Sequence, residues 1–381
     1  MTLPSAPGRL QPLRQPLLLV QGLRALAAML VLVGHSGHDA ATIAERLGVQ
    51  APRIDGIDWG FGVHLFFVIS GFIMVLTAAD DFGRPGAART FLLRRIVRVV
   101  PLYWAVTTAL LAGTLVLPRL LNVSIEDWRS ILASYLFIPY PRGNGEIRPV
   151  MALGWTLNYE MFFYAVFALA MLLPVRRGIA ALVGFFVGLV ALGQLVSLPA
   201  GALGFWSSPI VLEFVLGVLV GLAYRRGWRL GLLGAGSCLL LGISLAATLT
   251  PGLGDAGGLG ATAATGLPAS LLVLAAALGP QPTGDNRLVR MLAFLGDASY
   301  SLYLVHPFVI RPLRDLWIAV VGERLPLALY VVACFAAAIA GAVLCYVLFE
   351  RPLTRFFRRH RSQGRTAPAA RLAQADASDA S

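Results

Sequence analysis

The chain has 381 residues and a formal net charge of +12, with 57% hydrophobic and only 13% charged residues. Soluble proteins carry about 25% charged residues, so this composition excludes an ordinary soluble globular fold. Every basic residue is arginine, and the arginines cluster in the connections between apolar runs. This is the positive-inside pattern of a membrane protein, and we expect no nucleic-acid partner. The three cysteines lie within apolar runs without paired spacing, so neither a disulfide framework nor a metal site is expected.

Apolar runs of membrane-spanning length follow one another along almost the whole chain. We predict ten spans, at 17–38, 57–79, 102–118, 150–173, 178–198, 208–224, 230–250, 262–279, 298–318 and 326–349. A shorter run at 128–140 is expected to be re-entrant or interfacial, because it is too short to span comfortably. The sequence therefore predicts an all-α, polytopic membrane protein with about ten transmembrane helices, surrounded by membrane lipids.

The arginine-rich connections predict the orientation of the chain. The segment 80–101 and the later clusters near Arg176, Arg225 and Arg287 are expected to be cytoplasmic, as is the basic C-terminal tail. If 128–140 does not span, both termini lie in the cytoplasm. The predicted organisation has three parts: a cytoplasmic N-terminal segment at 1–16, a membrane domain at 17–352, and a basic, then disordered, cytoplasmic tail at 353–381.

The first span carries two ionisable residues, Arg24 and His35. Eleven positions on an α-helix make three turns plus about 20°, so the two side chains share a face roughly 16 Å apart along the axis. Ionisable residues within a membrane span are costly and mark candidate sites. Arg24 could instead extend to the cytoplasmic headgroups, and His35 could be a packing residue. Together on one stripe, they favour a functional interpretation.

Two later spans carry polar stripes. Thr156, Glu160 and Tyr164 recur at i, i+4 and i+8, and Ser299, Tyr303 and His306 at i, i+4 and i+7. Glu160 could hold the tautomer of a histidine, bind an incoming hydroxyl, or simply pair with an arginine. His306 could be a packing residue beside the Pro307 kink. The sequence does not show whether Glu160 or His306 contacts His35. His64 and Glu213 are also ionisable, and we interpret them as structural or gating partners.

A basic amphipathic stretch at 89–100 precedes the third span. Arg98 is four residues from Arg94 and three from Arg95, so it shares a helix face with each of them. Pro101 is expected to mark the transition from this stretch to the span.

Six motifs follow one another along the chain: Arg24 and, after ten intervening residues, His35; the stretch 66–72 (FFVISGF); Arg95 with Arg98; the stretch Trp155, Thr156 and Leu157 followed by Glu160; the stretch 300–307 (YSLYLVHP); and the closing 350–352 (ERP). Together, in this order and spacing, they resemble the acyltransferase family 3 membrane proteins. The resemblance covers about residues 17–352, and the stretch 155–164 is most similar to members that modify bacterial exopolysaccharide. Some members carry a fused extracytoplasmic hydrolase-like domain; we expect none here, with acyl transfer completed within the membrane domain.

The resemblance implies a bacterial inner-membrane O-acyltransferase. Its donor substrate would be acetyl-CoA or another cytoplasmic acyl-CoA, and its acceptor a sugar hydroxyl on a lipid-linked or growing glycan, with a polysaccharide synthesis complex as a further expected partner. Members of the family are thought to use the first-span histidine and to require the arginine of that span and the paired arginines.

The chemistry of acyl transfer suggests a role for each candidate. A sugar hydroxyl is a weak nucleophile at neutral pH, and a histidine suits the task of general base. We expect His35 to be that base, with Arg24 stabilising negative charge along the donor channel. Arg94, Arg95 and Arg98 would hold the CoA phosphates, because guanidinium forks match phosphate. Further candidates are Glu160 and His306 for catalysis and Trp155, Thr156 and Tyr303 for substrate binding.

Two other classes compete with the enzyme. A transporter of glycans or acyl groups could use Glu160, Glu213 and His306 as an intramembrane proton relay, although no inverted repeat is apparent in the sequence. A structural subunit of a polysaccharide synthase is the third possibility.

Overall fold

A computed structural model describes residues 17–50, 58–116, 127–143, 145–251, 258–282 and 286–357. Within these ranges the regular secondary structure is helical, apart from one isolated bridge between Pro141 and Ile147. In chain order the α-helices are α1 (Leu18–Leu47), α2 (Phe61–Ala78), α3 (Ala87–Val116), α4 (Trp128–Tyr135), α5 (Trp155–Ala170), α6 (Val175–Leu195), α7 (Ala202–Trp206), α8 (Leu212–Arg225), α9 (Leu232–Leu249), α10 (Gly258–Leu278), α11 (Arg287–Asp297), α12 (Ser299–Leu316) and α13 (Leu327–Cys345). The predicted all-α membrane architecture is confirmed.

The number of spans differs from the prediction. Among the described residues, seven helices are long and apolar enough to cross a membrane, or eight if α11 and α12 form one bent span. The predicted runs at 150–173 and 208–224 form helices of 16 and 14 residues, α5 and α8. Both are shorter than the roughly 20 residues that a perpendicular crossing needs. The count of ten is therefore not confirmed.

Two predicted helix ends are also different in the structure. α1 runs nine residues past the expected end at 38, because Ala40, Ile43 and Ala44 are buried in a hydrophobic cluster, and it stops at Gly48 with φ of 71°. Pro101 lies inside α3 rather than before it, so the basic stretch and the third span are one helix. The short run at 128–140 contains the eight-residue helix α4, which is too short to span, as predicted.

Helices α2 and α8 pack with their backbones in direct contact. A Cβ placed on Gly71 would lie 2.0 Å from the carbonyl oxygen of Phe214, and a Cβ on Gly217 would lie 2.0 Å from that of Val68. Only glycine allows backbones to approach this closely, and small residues at helix interfaces have this role in membrane proteins. The other side of α2 packs on α1, where Gly62 faces the carbonyl of Ala27 in the same way.

Helix α12 lies along α1 and completes the setting of the site. It follows α11 at a bend of 70°, and Gly296 before the bend lies against the backbone of Gln21 in α1. Further along, Leu302 and Ile310 of α12 are buried in one hydrophobic cluster with Ala28 and Leu32 of α1. The long seam between α1 and α12 therefore carries side chains of both helices from one end of the bundle to the other.

Candidate active site

A cavity of about 150 Å³ opens between α1, α2, α3, α5 and α12. Its wall combines apolar side chains with an unusual concentration of charged and hydroxyl groups. The polar lining residues are Arg24, Ser70, Arg95, Arg98, Thr156, Glu160, Tyr164, Ser299, Tyr300 and Tyr303. Six of the ten site residues predicted from the sequence are among them, although they come from four different helices.

Arg24 points into the protein rather than towards headgroups. Its Nη2 donates to the hydroxyl of Ser299 at 3.2 Å, and its Nη1 donates to Oε1 of Gln21 at 3.2 Å. The contact with Ser299 joins α1 to the first turn of α12, so the guanidinium is held at the cavity wall.

The three arginines of α3 have different surroundings. Arg98 lines the cavity and forms an ion pair with Glu350, with 2.6 Å between Nη1 and Oε1. Arg95 also lines the cavity, with its guanidinium carbon 5.6 Å from the ring centroid of Phe91 and 6.0 Å from that of Tyr164. Arg94 is exposed and outside the cavity lining. Only Arg95 and Arg98 of the predicted clamp therefore face the cavity.

Glu160 is the carboxylate of the cavity. It accepts hydrogen bonds from the hydroxyl of Ser70, at 3.1 Å, and from that of Tyr164. The two hydroxyls are also 3.4 Å from each other. Glu160 thus belongs to a hydroxyl-bonded cluster at the α2–α5 interface, and this cluster does not include His35.

Thr156 and Tyr303 lie side by side on the cavity wall. Their hydroxyls are 3.0 Å apart, and the Tyr303 hydroxyl also donates to the carbonyl of Leu153 at 3.0 Å. Trp155, in contrast, is outside the cavity lining and packs edge-on against the rings of Phe67 and Tyr159. Its predicted contact with substrate stays a prediction.

His35 and His306 meet beyond the cavity, further along the α1–α12 seam. Their ring centroids are 5.1 Å apart and the ring planes are inclined at 62°. His35 is exposed, whereas His306 is only 1% exposed. The ring of Tyr303, which lines the cavity, is 6.5 Å from that of His306. The structure thus places His306, and not Glu160, beside His35.

Eight of the ten predicted residues therefore form two neighbouring groups, a cation-rich cavity and a histidine pair, with Tyr303 at their boundary, while Arg94 and Trp155 lie outside both. Several residues of the cavity were not selected from the sequence as site residues. Ser70, Tyr164 and Tyr300 lie within the stretches that carried the resemblance, and Ser299 directly precedes one of them. Their position in or beside these stretches was the signal available in the sequence. Such a stretch does not distinguish residues that line the cavity from residues that pack behind it.

His64 and Glu213 pair with each other away from the cavity. Nδ1 of His64 is 2.7 Å from Oε1 of Glu213, and Oε1 also accepts from the hydroxyl of Thr265 at 2.9 Å. Glu213 is completely buried. The contact joins α2, α8 and α10, which agrees with the interpretation of the two residues as structural partners.

Comparison with known proteins gives consistent results. The sequence model of an acyltransferase domain family matches residues 19–347. The chain is 35% identical over 310 residues to the exopolysaccharide production protein ExoZ of Rhizobium meliloti strain 1021, a match that covers 79% of this chain and 91% of that protein. It is also 28% identical over 380 residues to the acyltransferase MdmB of Streptomyces mycarofaciens, covering 89% of this chain and 92% of the other. No solved structure matches the chain significantly.

Proposed function

The chain belongs to acyltransferase family 3, and from this premise we propose that it O-acylates an exopolysaccharide or another cell-surface glycan. The donor is cytoplasmic acyl-CoA, with acetyl as the transferred group. The likeness to an exopolysaccharide production protein supports the acceptor class. The observation that carries the proposal is the α1–α12 seam, which holds Arg24 with Ser299 at one level and His35 with His306 at another.

We place the protein in the bacterial inner membrane with the arginine-rich connections in the cytoplasm. The N-terminal half of α3 and the end of α8 at Arg225 are then cytoplasmic, and α1 runs outward. The membrane domain is 17–352, preceded by a cytoplasmic segment at 1–16 and followed by a tail at 353–381. Residues 1–16 and 358–381 lie outside the described residues.

In this orientation the cavity is the donor end of the site. Arg24 and Arg95 supply cations for the phosphates or for the negative charge that develops on the thioester. Arg98 contributes a further cation to the cavity while it is ion-paired with Glu350. Arg94 is exposed on the same helix and is available to a phosphate outside the cavity. Because the pantetheine arm reaches roughly 15–20 Å when extended, it can connect this surface with the level of His35.

The chemistry is a direct acyl transfer. His35 takes the proton of the acceptor hydroxyl while the oxygen forms a bond with the thioester carbonyl carbon. The carbon–sulfur bond breaks, and the proton passes from His35 to the departing CoA thiolate. Glu160, with Ser70 and Tyr164, provides hydrogen-bonding groups in the donor channel. Thr156 and Tyr303 bind substrate where the channel approaches the histidines, and Trp155 shapes that region through Phe67.

The family assignment favours this enzyme over a transporter, and a direct assay separates the two. Purified protein is incubated in detergent with labelled acetyl-CoA and the de-O-acetylated polysaccharide of the native strain. We expect label in the polysaccharide without any ion gradient, and loss of transfer in a folded His35→Ala variant. A wild-type protein without transferase activity in this assay, or a fully active His35→Ala variant, would contradict the proposal.

The same proposal predicts a product in the cell. Proton NMR of the polysaccharide from a deletion strain is expected to lack an acetyl methyl signal that the parent strain shows. A lost succinyl signal would correct the identity of the acyl group and leave the reaction class intact.

A further inference from the structure

The ring of His306 is fixed in one tautomer by its own helix. Nδ1 lies 2.9 Å from the carbonyl oxygen of Leu302. A carbonyl oxygen can only accept a hydrogen bond, so Nδ1 carries the proton. In the neutral ring the other nitrogen, Nε2, then has a free lone pair and is an acceptor.

This acceptor is not used by any described residue. Nε2 of His306 is buried and has no hydrogen-bond partner within the described part of the chain. The neighbouring ring of Tyr303 directs its hydroxyl to Thr156 and Leu153 instead. A buried acceptor without a partner destabilises the fold. Such a group in a native structure requires an explanation, and a partner that binds during the reaction is one.

His35 is placed to be that partner. The ring centroids are 5.1 Å apart, so two ring nitrogens on the line between the centroids would be about 2.8 Å apart, within hydrogen-bond range. Rotation of the exposed His35 side chain would direct an N–H at Nε2 of His306. His306 is packed in the seam and stays where it is.

We propose that His306 is the positioning residue of the transfer: its Nε2 accepts a hydrogen bond from one ring nitrogen of His35 and so presents the other nitrogen, unprotonated, to the acceptor hydroxyl. The inference rests on the proposed function. When His35 takes the hydroxyl proton it becomes a cation, and the same hydrogen bond to neutral His306 stabilises it. His35 then gives this proton to the CoA sulfur as the carbon–sulfur bond breaks, and His306 neither gains nor loses a proton.

Two substitutions separate the roles of the two nitrogens. In His306→Gln, the side-chain oxygen can occupy the position of Nε2 and keep the acceptor. In His306→Asn, the shorter amide keeps a donor for Leu302 but leaves no acceptor towards His35. We expect the kcat of His306→Asn to fall about 100-fold, the lower end of a general-base contribution. His306→Gln is expected to keep kcat within about tenfold of wild type, and neither variant changes the KM for acyl-CoA.

The control variant is His38→Gln, which alters another exposed histidine of α1 and is expected to have wild-type kcat. Thermal unfolding in detergent checks that all variants fold. Equal kcat values for the Asn and Gln variants, whether both high or both abolished in folded protein, would overturn the positioning role. Failure of the proposed function looks different, because a folded His35→Ala variant would then transfer acyl groups as well as wild type.

Discussion

Arg98, at the cavity wall, forms an ion pair with Glu350, with 2.6 Å between Nη1 and Oε1. Glu350 is 3% exposed and also accepts from the hydroxyl of Ser301 at 2.5 Å. Glu350 lies in the helical segment Tyr346–Glu350 that follows α13. The pair therefore connects the basic half of α3 to the end of the last apolar helix and, through Ser301, to α12. It also leaves Arg24 and Arg95 as cavity arginines for which no carboxylate ion pair is found among the described residues.

The first prediction concerns this pair. Glu350→Ala and Arg98→Ala each leave a partly buried charge without its partner, which costs about 3–5 kcal/mol in buried pairs. We expect the double variant to be less destabilised than the sum of the single variants, since it removes both charges. The free energy of unfolding in detergent micelles gives the double-mutant cycle. Strict additivity would show that the two side chains are not coupled.

Arg95 is expected to contribute to donor binding. Arg95→Ala removes a guanidinium at the cavity, and a hydrogen bond to a charged group is worth about 1.5–3 kcal/mol. The KM for acyl-CoA should therefore rise about 10- to 100-fold, with a smaller rise for Arg95→Lys, which keeps the charge. Arg89→Ala changes an exposed arginine of the same helix and serves as the control. An unchanged KM in Arg95→Ala would rule out the phosphate-binding role.

The His64–Glu213 pair is predicted to stabilise the fold rather than catalyse. His64→Ala leaves the fully buried Glu213 with Thr265 as its remaining described partner, at a cost of about 3–5 kcal/mol. Glu213→Gln keeps a hydrogen-bonding group without the charge and should cost less. Unfolding measurements rank the variants, and specific activity is measured on the folded fraction. A large loss of specific activity with unchanged stability would assign the pair to the reaction.

The glycines between α2 and α8 are predicted to tolerate no side chain. In Gly71→Ala and Gly217→Ala, the added Cβ meets a carbonyl oxygen 2.0 Å away, and backbone must move to accommodate it. Overpacking costs typically about 1–3 kcal/mol, and more where backbone must shift. Gly236→Ala in α9 has nothing within 4 Å of the new Cβ and is expected to be neutral or slightly stabilising. Equal melting temperatures for all three variants would contradict this packing.

The proposed orientation makes a topology prediction. A phosphatase reporter fused after Gly145 should be active, because this position follows α4 and lies outside the cytoplasm. A fusion after Arg177, in the basic first turn of α6, should be inactive, since the reporter requires an oxidising compartment. A green fluorescent reporter at the same two sites should give the opposite pattern. Reversed results would invert the orientation of the whole bundle.

Much of the fold could be predicted because its information is local. Membrane-length apolar runs require helices, since lipid offers backbone groups no other partner. The places where prediction failed are those where tertiary contacts decide. The extension of α1 depends on burial of Ala40 and Ile43 against other helices. Pro101 lies inside α3 and does not end the helix. The short α8 is stabilised by its packing on α2.

The site shows the same division. Helical spacing placed Thr156, Glu160 and Tyr164 on one face, and all three line the cavity. Their partners lie on other helices, and the sequence carries no distance between helices. Arg24 and Ser299 are 275 positions apart in the chain, yet they form one hydrogen bond.

By itself, the sequence determined a helical membrane protein of an acyltransferase family and the alignment of Arg24 and His35 on one helix face. Sequence periodicity and hydrophobicity describe one helix at a time, so they predict single helices and not the packing between helices. The tertiary structure decided that His35 meets His306, that Glu160 belongs with Ser70 and Tyr164, and that Arg98 is paired with Glu350. Side-chain packing between helices fixes these choices, because each buried polar group must find its partner where the bundle places one.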